Sequence, residues 1–177
     1  LDTLPLCVFW KNRESVFLGC NQTLANLMGL AATEDIIGKT GFEFSPTTRE
    51  ADTYVQDDQW VMTSGEPKLG IEETMTLPNG EQIWLETHKA PLRDWQGQVI
   101  GIVGVFRDIT ARKQIAEDLQ SERARLQLAL EAAQMGAWSC NPVTNKLLWS
   151  DRAQEIFGFV PGTFSGERSA FLSLVHP

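Results

Sequence analysis

One segment limits the possible folds more than any other: the apolar run from Val99 to Phe106. Its eight residues are far fewer than the roughly 20 that a membrane-spanning helix needs. A short, nearly continuous apolar run between turn residues is typical of a strand that is covered on both faces. We therefore expect residues 98–106 to form a central strand of a sheet.

The segments before this strand alternate between strand and helix patterns. Apolar, β-prone residues at 6–12 and 16–21 flank a short polar break, which is typical of a hairpin. A helical pattern follows at 47–64, and strands expected at 71–77 and 82–92 are joined by a turn that contains Gly80. Two strands, a helical middle and three strands predict an α+β domain with a five-stranded antiparallel sheet.

A long helix is expected next, because residues 111–134 contain neither Gly nor Pro and are rich in Ala, Leu, Glu, Gln and Arg. A helix of this length measures about 36 Å. Heptad spacing places Ile115, Leu119 and Leu126 on one stripe, which Arg112 and Glu122 interrupt. We expect this stripe to be the seam of a homodimer; the alternative is a solvated helix lying on its own domain.

After this helix, the pattern of the N-terminus begins again. Residues 138–149 predict a second hairpin and residues 150–159 a capped helix that ends at a glycine. When the second helix is aligned with the first, five of its positions match without a gap: Ala153, Ile156, Phe157, Gly158 and Phe159 fall on Leu24, Leu27, Met28, Gly29 and Leu30. The repeat stops before any counterpart of the last three strands, so we expect residues 135–177 not to form a complete domain.

Charge and composition exclude several classes of function. The net charge of −8 comes from residues 1–110, which hold 8 basic and 16 acidic side chains, so no basic face is available for nucleic acid. The three cysteines form no CxxC pair, and His88 and His176 have no ligand-spaced partners, so neither a disulfide framework nor a metal site is expected. No glycine-rich phosphate loop or GxSxG motif is present, so we expect no enzyme activity in these residues. Without a signal-peptide pattern, the chain is expected to be cytoplasmic.

Two long motifs resemble the PAS sensor family. The segment "GQVIGIVGVFRDITARK" at 97–113 is similar to the family's final strand and exit motif, and "PNGEQIWLETHKAPLRDWQG" at 78–97 to its penultimate strand. The resemblance covers residues 4–113, while the "WS…IFG" and "VHP" motifs within 135–177 look like the start of a second PAS domain. It implies a PAS domain at 1–110, a linker helix at 111–134 and a truncated second domain at 135–177.

The resemblance also implies a role. PAS domains of this kind are signal-input modules of bacterial multidomain proteins, either sensor histidine kinases or cyclic-di-GMP enzymes such as diguanylate cyclases. A small ligand or a partner would be sensed, and the change would pass through Asp108, Ile109 and Thr110 into the helix. Asp108 and Thr110 are expected to cap that helix and to pair with Lys11, Arg13 or Arg107. Any catalytic domain of the parent protein would follow Pro177.

The sequence differs from the PAS subtypes that bind coloured cofactors. The flavin-binding LOV branch carries a GxNCRFLQ motif, and its reactive cysteine aligns with Gly41. Its polar flavin-binding positions align with Met75, Leu85 and Phe106, which cannot pair with the ring edge. Oxygen-sensing haem PAS domains use a histidine from the longer helix, and residues 47–64 contain none. We predict no flavin or haem, which leaves an unidentified small molecule as the possible ligand.

The candidate pocket residues lie on the expected concave face of the sheet and the helices around it. Alternation places Glu73 and Met75 on one face of their strand, and Leu85, Thr87 and Lys89 on one face of the next. Phe44, Trp60 and Phe106 complete the candidate set. If these side chains fill the cup themselves, the chain is instead a ligand-free structural dimerisation module.

The register of these two strands decides which polar groups meet. The family alignment sets Met75 opposite Leu85, which places Glu73 across from Thr87 and diagonal to Lys89. A tight two-residue turn at Asn79-Gly80 would shift the register by one and bring Trp84 to this face. In the first register, Glu73 and Lys89 either pair with each other or await the polar group of a ligand.

Overall fold

The expected sheet is present in the computed structural model, which describes residues 6–44 and 48–175. Its strands are β1 (Cys7–Asn12), β2 (Phe17–Cys20), β3 (Lys68–Thr76), β4 (Gln82–Arg93) and β5 (Val99–Asp108). They are antiparallel in the order β2-β1-β5-β4-β3, which puts the apolar strand β5 at the centre. The prediction of an α+β fold with a five-stranded antiparallel sheet is confirmed. His176 and Pro177 of the "VHP" motif lie outside the described residues.

Helices cover one face of this sheet. They are α1 (Gln22–Leu27) and α2 (Thr48–Ser64), with 3₁₀ turns at Thr33–Ile36 and Gly41–Glu43 between them. The core lies between these helices and the sheet; its most buried apolar side chains include Leu24, Ile36, Val61, Ile83, Leu85 and Ile102. Each such side chain contributes roughly 1.5–3 kcal/mol by leaving water.

The observed β3–β4 register corrects both expected registers. Glu73 lies opposite Leu85 and Met75 opposite Ile83, which is two residues away from the family alignment. The turn is longer than two residues: Leu77 N donates to Glu81 O, and Gly80 N donates to Leu77 O, both at 2.8 Å. Because side chains alternate with a period of two, a two-residue shift keeps the expected residues on the same face.

The long helix α3 (Thr110–Ala132) follows β5 after one intervening residue. It agrees with the predicted helix at 111–134 to within two residues at either end. The chain divides into two compact units, Leu1–Ile115 and Ala116–Pro177, so the division falls inside α3.

The second unit contains the predicted second hairpin. Its strands are β6 (Trp138–Cys140) and β7 (Leu147–Trp149), and two helices follow, α4 (Asp151–Ile156) and α5 (Arg168–Val175). Trp149 is the centre of a cluster of aromatic rings and stacks on Phe164 at 4.3 Å between centroids. The other rings near Trp149 are those of Phe157, Phe159 and Phe171, the farthest at 6.2 Å.

The segment β6-β7-α4 has the same local hydrogen bonds as β1-β2-α1. The bonded residues are related by the alignment that also matches the two helices. Val8 N donates to the side chain of Asn21 at 3.0 Å, and Ala137 N donates to the side chain of Ser150 at 2.9 Å. The reverse bonds, from Asn21 N to Val8 O and from Ser150 N to Ala137 O, measure 3.0 and 2.8 Å. Both helices end at a glycine with positive φ, +67° at Gly29 and +84° at Gly158.

Candidate functional site

The inner face of the first unit's sheet lines a partly open cavity of about 70 Å³. A space of this size has room for on the order of five water molecules. Most of its wall is apolar: Phe9, Phe17, Leu24, Met28, Ile36, Gly41, Phe44, Met75, Leu85 and Phe106. The polar wall residues are Lys11, Tyr54, Glu73, Thr87 and Lys89.

Seven of the eight candidate pocket residues line this cavity: Phe44, Glu73, Met75, Leu85, Thr87, Lys89 and Phe106. Trp60 does not line it, because its side chain is 49% exposed on α2. On this helix the side chains of Asp57, Asp58, Val61 and Met62 turn inward. Each residue turns about 100° around a helix, so position 60 lies outside that inward arc.

A buried ionic cluster beside the cavity was not anticipated. Asp58, which is fully buried, holds two lysines: its Oδ2 lies 2.8 Å from Lys11 Nζ, and its Oδ1 lies 2.6 Å from Lys89 Nζ. Lys89 Nζ also donates to the carbonyl oxygen of Tyr54 at 3.1 Å. Of the two alternatives for Lys89, pairing with Glu73 is not the one observed: a carboxylate from α2 binds both lysines instead.

Lys11 is 3% exposed, and its position follows from strand alternation with Cys7 and Phe9. Burial lowers the pKa of Lys11, and the neighbouring Asp58 acts in the opposite direction. Its ammonium lies 4.6 Å from the ring centroid of Phe17 and 5.2 Å from that of Phe9. The inward position of Lys11 in β1 was a readable signal of a buried charge, although the sequence could not show its partner.

Glu73 and Thr87 differ from the other polar wall residues because each has a buried oxygen without a partner. Burial raises the pKa of Glu73 above its usual value, Asp57 and Asp58 act in the same direction, and Thr87 and Lys89 oppose the rise. Glu73 Oε2 and Thr87 Oγ1 are both buried, and neither has a hydrogen-bond partner among the described residues. The two groups thus lie near each other without a well-aligned hydrogen bond between them.

The joint between β5 and α3 is held by a side-chain cap and by two hydrogen bonds to the backbone of β4. Thr110 N donates to Asp108 Oδ1 at 2.7 Å, so Asp108 caps the start of α3. Thr110 Oγ1 accepts from Trp84 N at 2.8 Å, and Ile109 N donates to Trp84 O at 2.8 Å. The backbone N–H and the backbone C=O of Trp84 therefore both bind the joint.

The expected basic partner of Asp108 is not found in the part of the chain that the structure describes. Lys11 belongs to the buried cluster, and Arg107 pairs instead with Glu86, at 2.5 Å. Two basic residues of α3 bind β3: Arg112 Nη2 and Lys113 Nζ lie 2.9 and 2.5 Å from the carboxylate oxygens of Glu72.

Glu72 is held as an anion by this contact with the first turns of α3. The hydrogen bond from Lys113 lowers the pKa of Glu72, and the charge of Arg112 adds to the effect. The Lys113 ammonium also lies 4.9 Å from the ring centroid of Trp84. The outer face of β3 and β4 thus holds the first turns of α3 through charge and cation–π contacts.

The candidate dimer stripe on α3 faces outward in the single chain. The exposed fractions of Ile115, Leu119 and Leu126 are 69%, 50% and 61%. No residue of α3 is buried.

Residues 6–44 and 48–175 contain no group of three His, Cys, Asp or Glu side chains that could hold a metal ion. Over the same ranges, no helix combines the length and apolar character that crossing a bilayer requires. The side chains of Cys7 and Cys20 are buried, and that of Cys140 is exposed.

Known proteins with similar sequences include parts of two sensor kinases. The aerobic respiration control sensor protein ArcB of Escherichia coli is 30% identical over 120 residues, which cover 68% of this chain and 15% of ArcB. The methanogenesis regulatory histidine kinase FilI of Methanothrix harundinacea is 34% identical over 133 residues, which cover 75% of this chain and 14% of FilI. The matched part of the chain thus spans about one seventh of the length of either relative.

Solved structures of VqmA share both fold and sequence with the chain. The Vibrio cholerae VqmA dimer has a TM-score of 0.57 and 34% identity, covering 62% of this chain and 49% of VqmA. A structure of VqmA bound to DPO gives 0.56 and 33%, covering 60% and 54%. The family model described as "PAS fold" matches residues 1–114. The chain therefore belongs to the PAS family, with a PAS sensor domain over residues 1–114 that is homologous to those of sensor kinases.

Proposed function

We propose that this PAS domain is a signal-input module that senses a small ligand in its cavity and passes the change into α3. The observation that carries the proposal is the cavity wall, where buried polar atoms of Glu73 and Thr87 have no partner among the described residues. A buried polar group without a partner is costly unless a ligand or water supplies one. VqmA, which has been solved bound to DPO, supports a small molecule as the occupant.

The route from the cavity to α3 would pass through the joint at Asp108 and Thr110. Thr87 and Leu85 line the cavity, and Trp84, next to Leu85 on β4, holds the joint from both sides. A ligand that moves β4 would change the position of Trp84 and so the start of α3. The exposed contacts of Glu72 with Arg112 and Lys113 can be remade in a second arrangement, as a two-state switch requires.

We propose that the parent protein is a bacterial signalling enzyme whose chemistry lies outside these residues. The relatives ArcB and FilI favour a sensor histidine kinase, and a cyclic-di-GMP enzyme such as a diguanylate cyclase is the second choice. The module itself is proposed to lie in the cytoplasm, as such output domains require.

Ligand extraction tests the sensing proposal. Purified full chain should release one reproducible small molecule, detected by mass spectrometry, and should show no visible absorbance band of a flavin or haem. The matched control is Gly41→Leu, because a Cβ at Gly41 would have its nearest neighbour 3.8 Å away and the side chain would enter the cavity. Equal yields from both proteins, or none from either, would favour the alternative of a ligand-free dimerisation module.

We propose that the chain forms a homodimer through the α3 seam of Ile115, Leu119 and Leu126. A lone helix of this length gains little from propensity, and these exposed side chains provide an apolar stripe to bury. Replacing Leu119 and Leu126 by Glu places four carboxylates in a two-chain seam and should yield a monomer in sedimentation. The control, Gln120→Glu with Gln127→Glu, has the same charge and spacing one position away and should remain dimeric. If the variant with Glu at positions 119 and 126 remains a dimer, the interface lies elsewhere on the chain.

We further propose that residues 135–177 are the start of a second PAS domain. The support is that a single alignment matches both hairpins: Phe9 pairs with Cys20 in β1–β2, and their counterparts Trp138 and Trp149 pair in β6–β7. The parent gene should then encode an apolar strand similar to β5, at about the same spacing after Trp138 as β5 has after Phe9. A gene without such a strand would contradict the proposal.

A further inference from the structure

The apolar stripe on α3 also determines which side chains flank it. In the heptad that the stripe defines, Leu119 and Leu126 occupy position a and Ile115 occupies position d. The next position d holds Glu122, which places a charge within the stripe. Positions e and g lie on either side of such a stripe, and ion pairs between the two helices of a coiled coil form there.

The flanking positions of α3 hold opposite charges that do not pair within one chain. Asp118 lies at position g and Arg123 at position e. Neither side chain has an ion-pair or hydrogen-bond partner in the part of the chain that the structure describes, and both are exposed. Five residues of helix separate them by roughly 140° around the axis, so they point to opposite sides of the stripe. A contact between these two charges therefore requires two chains.

The orientation of two such helices decides whether these charges meet. In parallel helices that are in register, position g of one helix lies beside position e of the following heptad in the other. Asp118 of each copy then lies beside Arg123 of the other copy, which gives one attractive contact on each side of the seam. In an antiparallel pair, g lies opposite g and e opposite e, so this contact does not form.

Glu122 adds a second constraint on the register. Arg125 Nη1 lies 4.0 Å from Glu122 Oε1 in the same helix, and both side chains are exposed in the single chain. A charged residue in a seam costs stability and specifies the register. Moving one helix by a heptad would place Glu122 against an apolar seam residue and would separate Asp118 from Arg123.

This stretch of α3 is also suited to a second copy by its total charge. The two acidic side chains, Asp118 and Glu122, balance the two basic ones, Arg123 and Arg125, so the sum −2 + 2 is zero. The whole chain has a net charge of −8, which makes two copies repel each other over most other surfaces. A symmetric dimer needs a patch that is complementary to itself, and this stretch meets that condition.

We propose that a second copy of this chain binds α3 in parallel and in register, with Asp118 of each copy paired to Arg123 of the other. The inference rests on the proposed homodimer through α3 and adds its orientation and register. Glu122 and Arg125 lie between the two pairs and make other registers less stable.

Two charge-reversal variants of the full chain test the contact. Asp118→Arg alone, or Arg123→Asp alone, places like charges on both sides of the seam. Each homodimer should therefore dissociate about tenfold more readily at low salt, where charge contacts are least screened. An equimolar mixture of the two variants should form a heterodimer of native affinity, because each copy then supplies the charge that the other needs. Native mass spectrometry separates the three dimers by mass.

The matched control is Glu117→Arg. Glu117 lies at position f, which faces away from the seam, so this variant should dimerise like the native chain. Its mixture with Arg123→Asp should remain weaker than the native dimer. Recovery with Glu117→Arg that equals the recovery with Asp118→Arg would show that only the total charge matters, and would overturn the proposed pair.

A cross-link tests the orientation without any change of charge. Leu126→Cys in a Cys140→Ser background places one thiol at position a, and in parallel, in-register helices the two introduced thiols face each other across the seam. Mild oxidation should then give a covalent dimer. Gln127→Cys in the same background is the control and should give less, because position b faces away from the seam.

The outcomes separate this inference from the proposed seam. A mixture that binds no better than its single variants, while Leu119→Glu with Leu126→Glu still yields a monomer, refutes the Asp118–Arg123 pair and leaves the seam in place. The absence of a Leu126→Cys cross-link in a chain that still dimerises refutes the parallel register. A native chain that sediments as a monomer refutes the seam and the register together.

Discussion

The hairpin and helix at β1-β2-α1 and those at β6-β7-α4 have the same local bonds in different surroundings. In the first, β1 also pairs with β5, and Phe9 is 6% exposed. In the second, β7 is the only strand paired with β6 in the described chain, and Trp138, at the position of Phe9, is 69% exposed. The comparison separates what short segments determine from what the complete sheet adds: the hairpin and its cap form locally, whereas the cavity needs α2 and three more strands.

Asp58 should show the largest difference between the two units. Asp58→Ala leaves two buried lysines without their carboxylate, so the first unit should lose about 3–5 kcal/mol of its free energy of unfolding. The second unit has Cys140 at the position of Lys11 and should not change. Urea titrations that follow the Met28 and Met135 methyl signals report the two units separately.

Asp57→Ala is the matched control, because Asp57 pairs with the partly exposed Lys68. Its loss should cost less than the loss of Asp58, because Asp57 has a single lysine partner and that lysine is 40% exposed, so water can solvate it. Equal losses for Asp57→Ala and Asp58→Ala would mean that the buried cluster contributes no more than one partly exposed ion pair.

The reactivity of the cysteine thiols should also differ between the two units. Cys7 and Cys20 are buried and Cys140 is exposed, and burial raises the pKa of Cys7 to about 11. At pH 8, only about one Cys7 side chain in a thousand is the reactive thiolate. Iodoacetamide should modify Cys140 at least about 100-fold faster than Cys7, as measured by peptide mass spectrometry. Similar rates at all three thiols in the native chain would show that the first core opens readily.

The two helix caps offer a matched pair of substitutions. Asn21 accepts from Val8 N and Leu24 N and donates to Leu6 O, whereas Ser150 accepts from Ala137 N and Ala153 N. Asn21→Ala should cost the first unit about 2 kcal/mol, and Ser150→Ala should cost the second about 1 kcal/mol. A larger loss of stability for Ser150→Ala than for Asn21→Ala in the same urea titrations would show that burial of the capping residue does not set the cost.

The smallest effect concerns the pH dependence of the first unit. Burial raises the pKa of Glu73 in the fold, so the stability linked to this group is present below the ordinary glutamate pKa of 4.5 and is lost as the pH rises through the raised value. Glu73→Gln should therefore unfold at a higher urea concentration than the native chain at pH 7. The difference should shrink towards zero as the pH approaches 4. A difference that grows on acidification would reverse the assigned sign.

The sequence predicted features that follow from local patterns, such as strand alternation. It did not predict contacts between residues that are far apart in the chain. The apolar run of β5 indicated its central place, and alternation indicated the faces of Glu73, Met75, Leu85 and Thr87. The β3–β4 register was wrong by two residues, because that shift leaves the alternation unchanged.

Asp58 was missed for a different reason. It lies 47 residues from Lys11 and 31 from Lys89, and nothing near it in the sequence indicates either partner. Trp60 was placed in the cavity because an apolar residue on an amphipathic helix is assumed to face the core. The core-facing side of α2 is instead formed by other residues of the helix, and the Trp60 side chain is exposed.

The bridge from Asp58 to two lysines also bears on how long the native domain lasts once folded. It joins β1, α2 and β4, so it can close only when all three elements have docked. A lysine that lost its water earlier would be buried without its counter-charge. Interactions that form after the folding transition state act mainly on the unfolding rate. We therefore expect the loss of the bridge to raise the rate of unfolding more than it lowers the rate of folding.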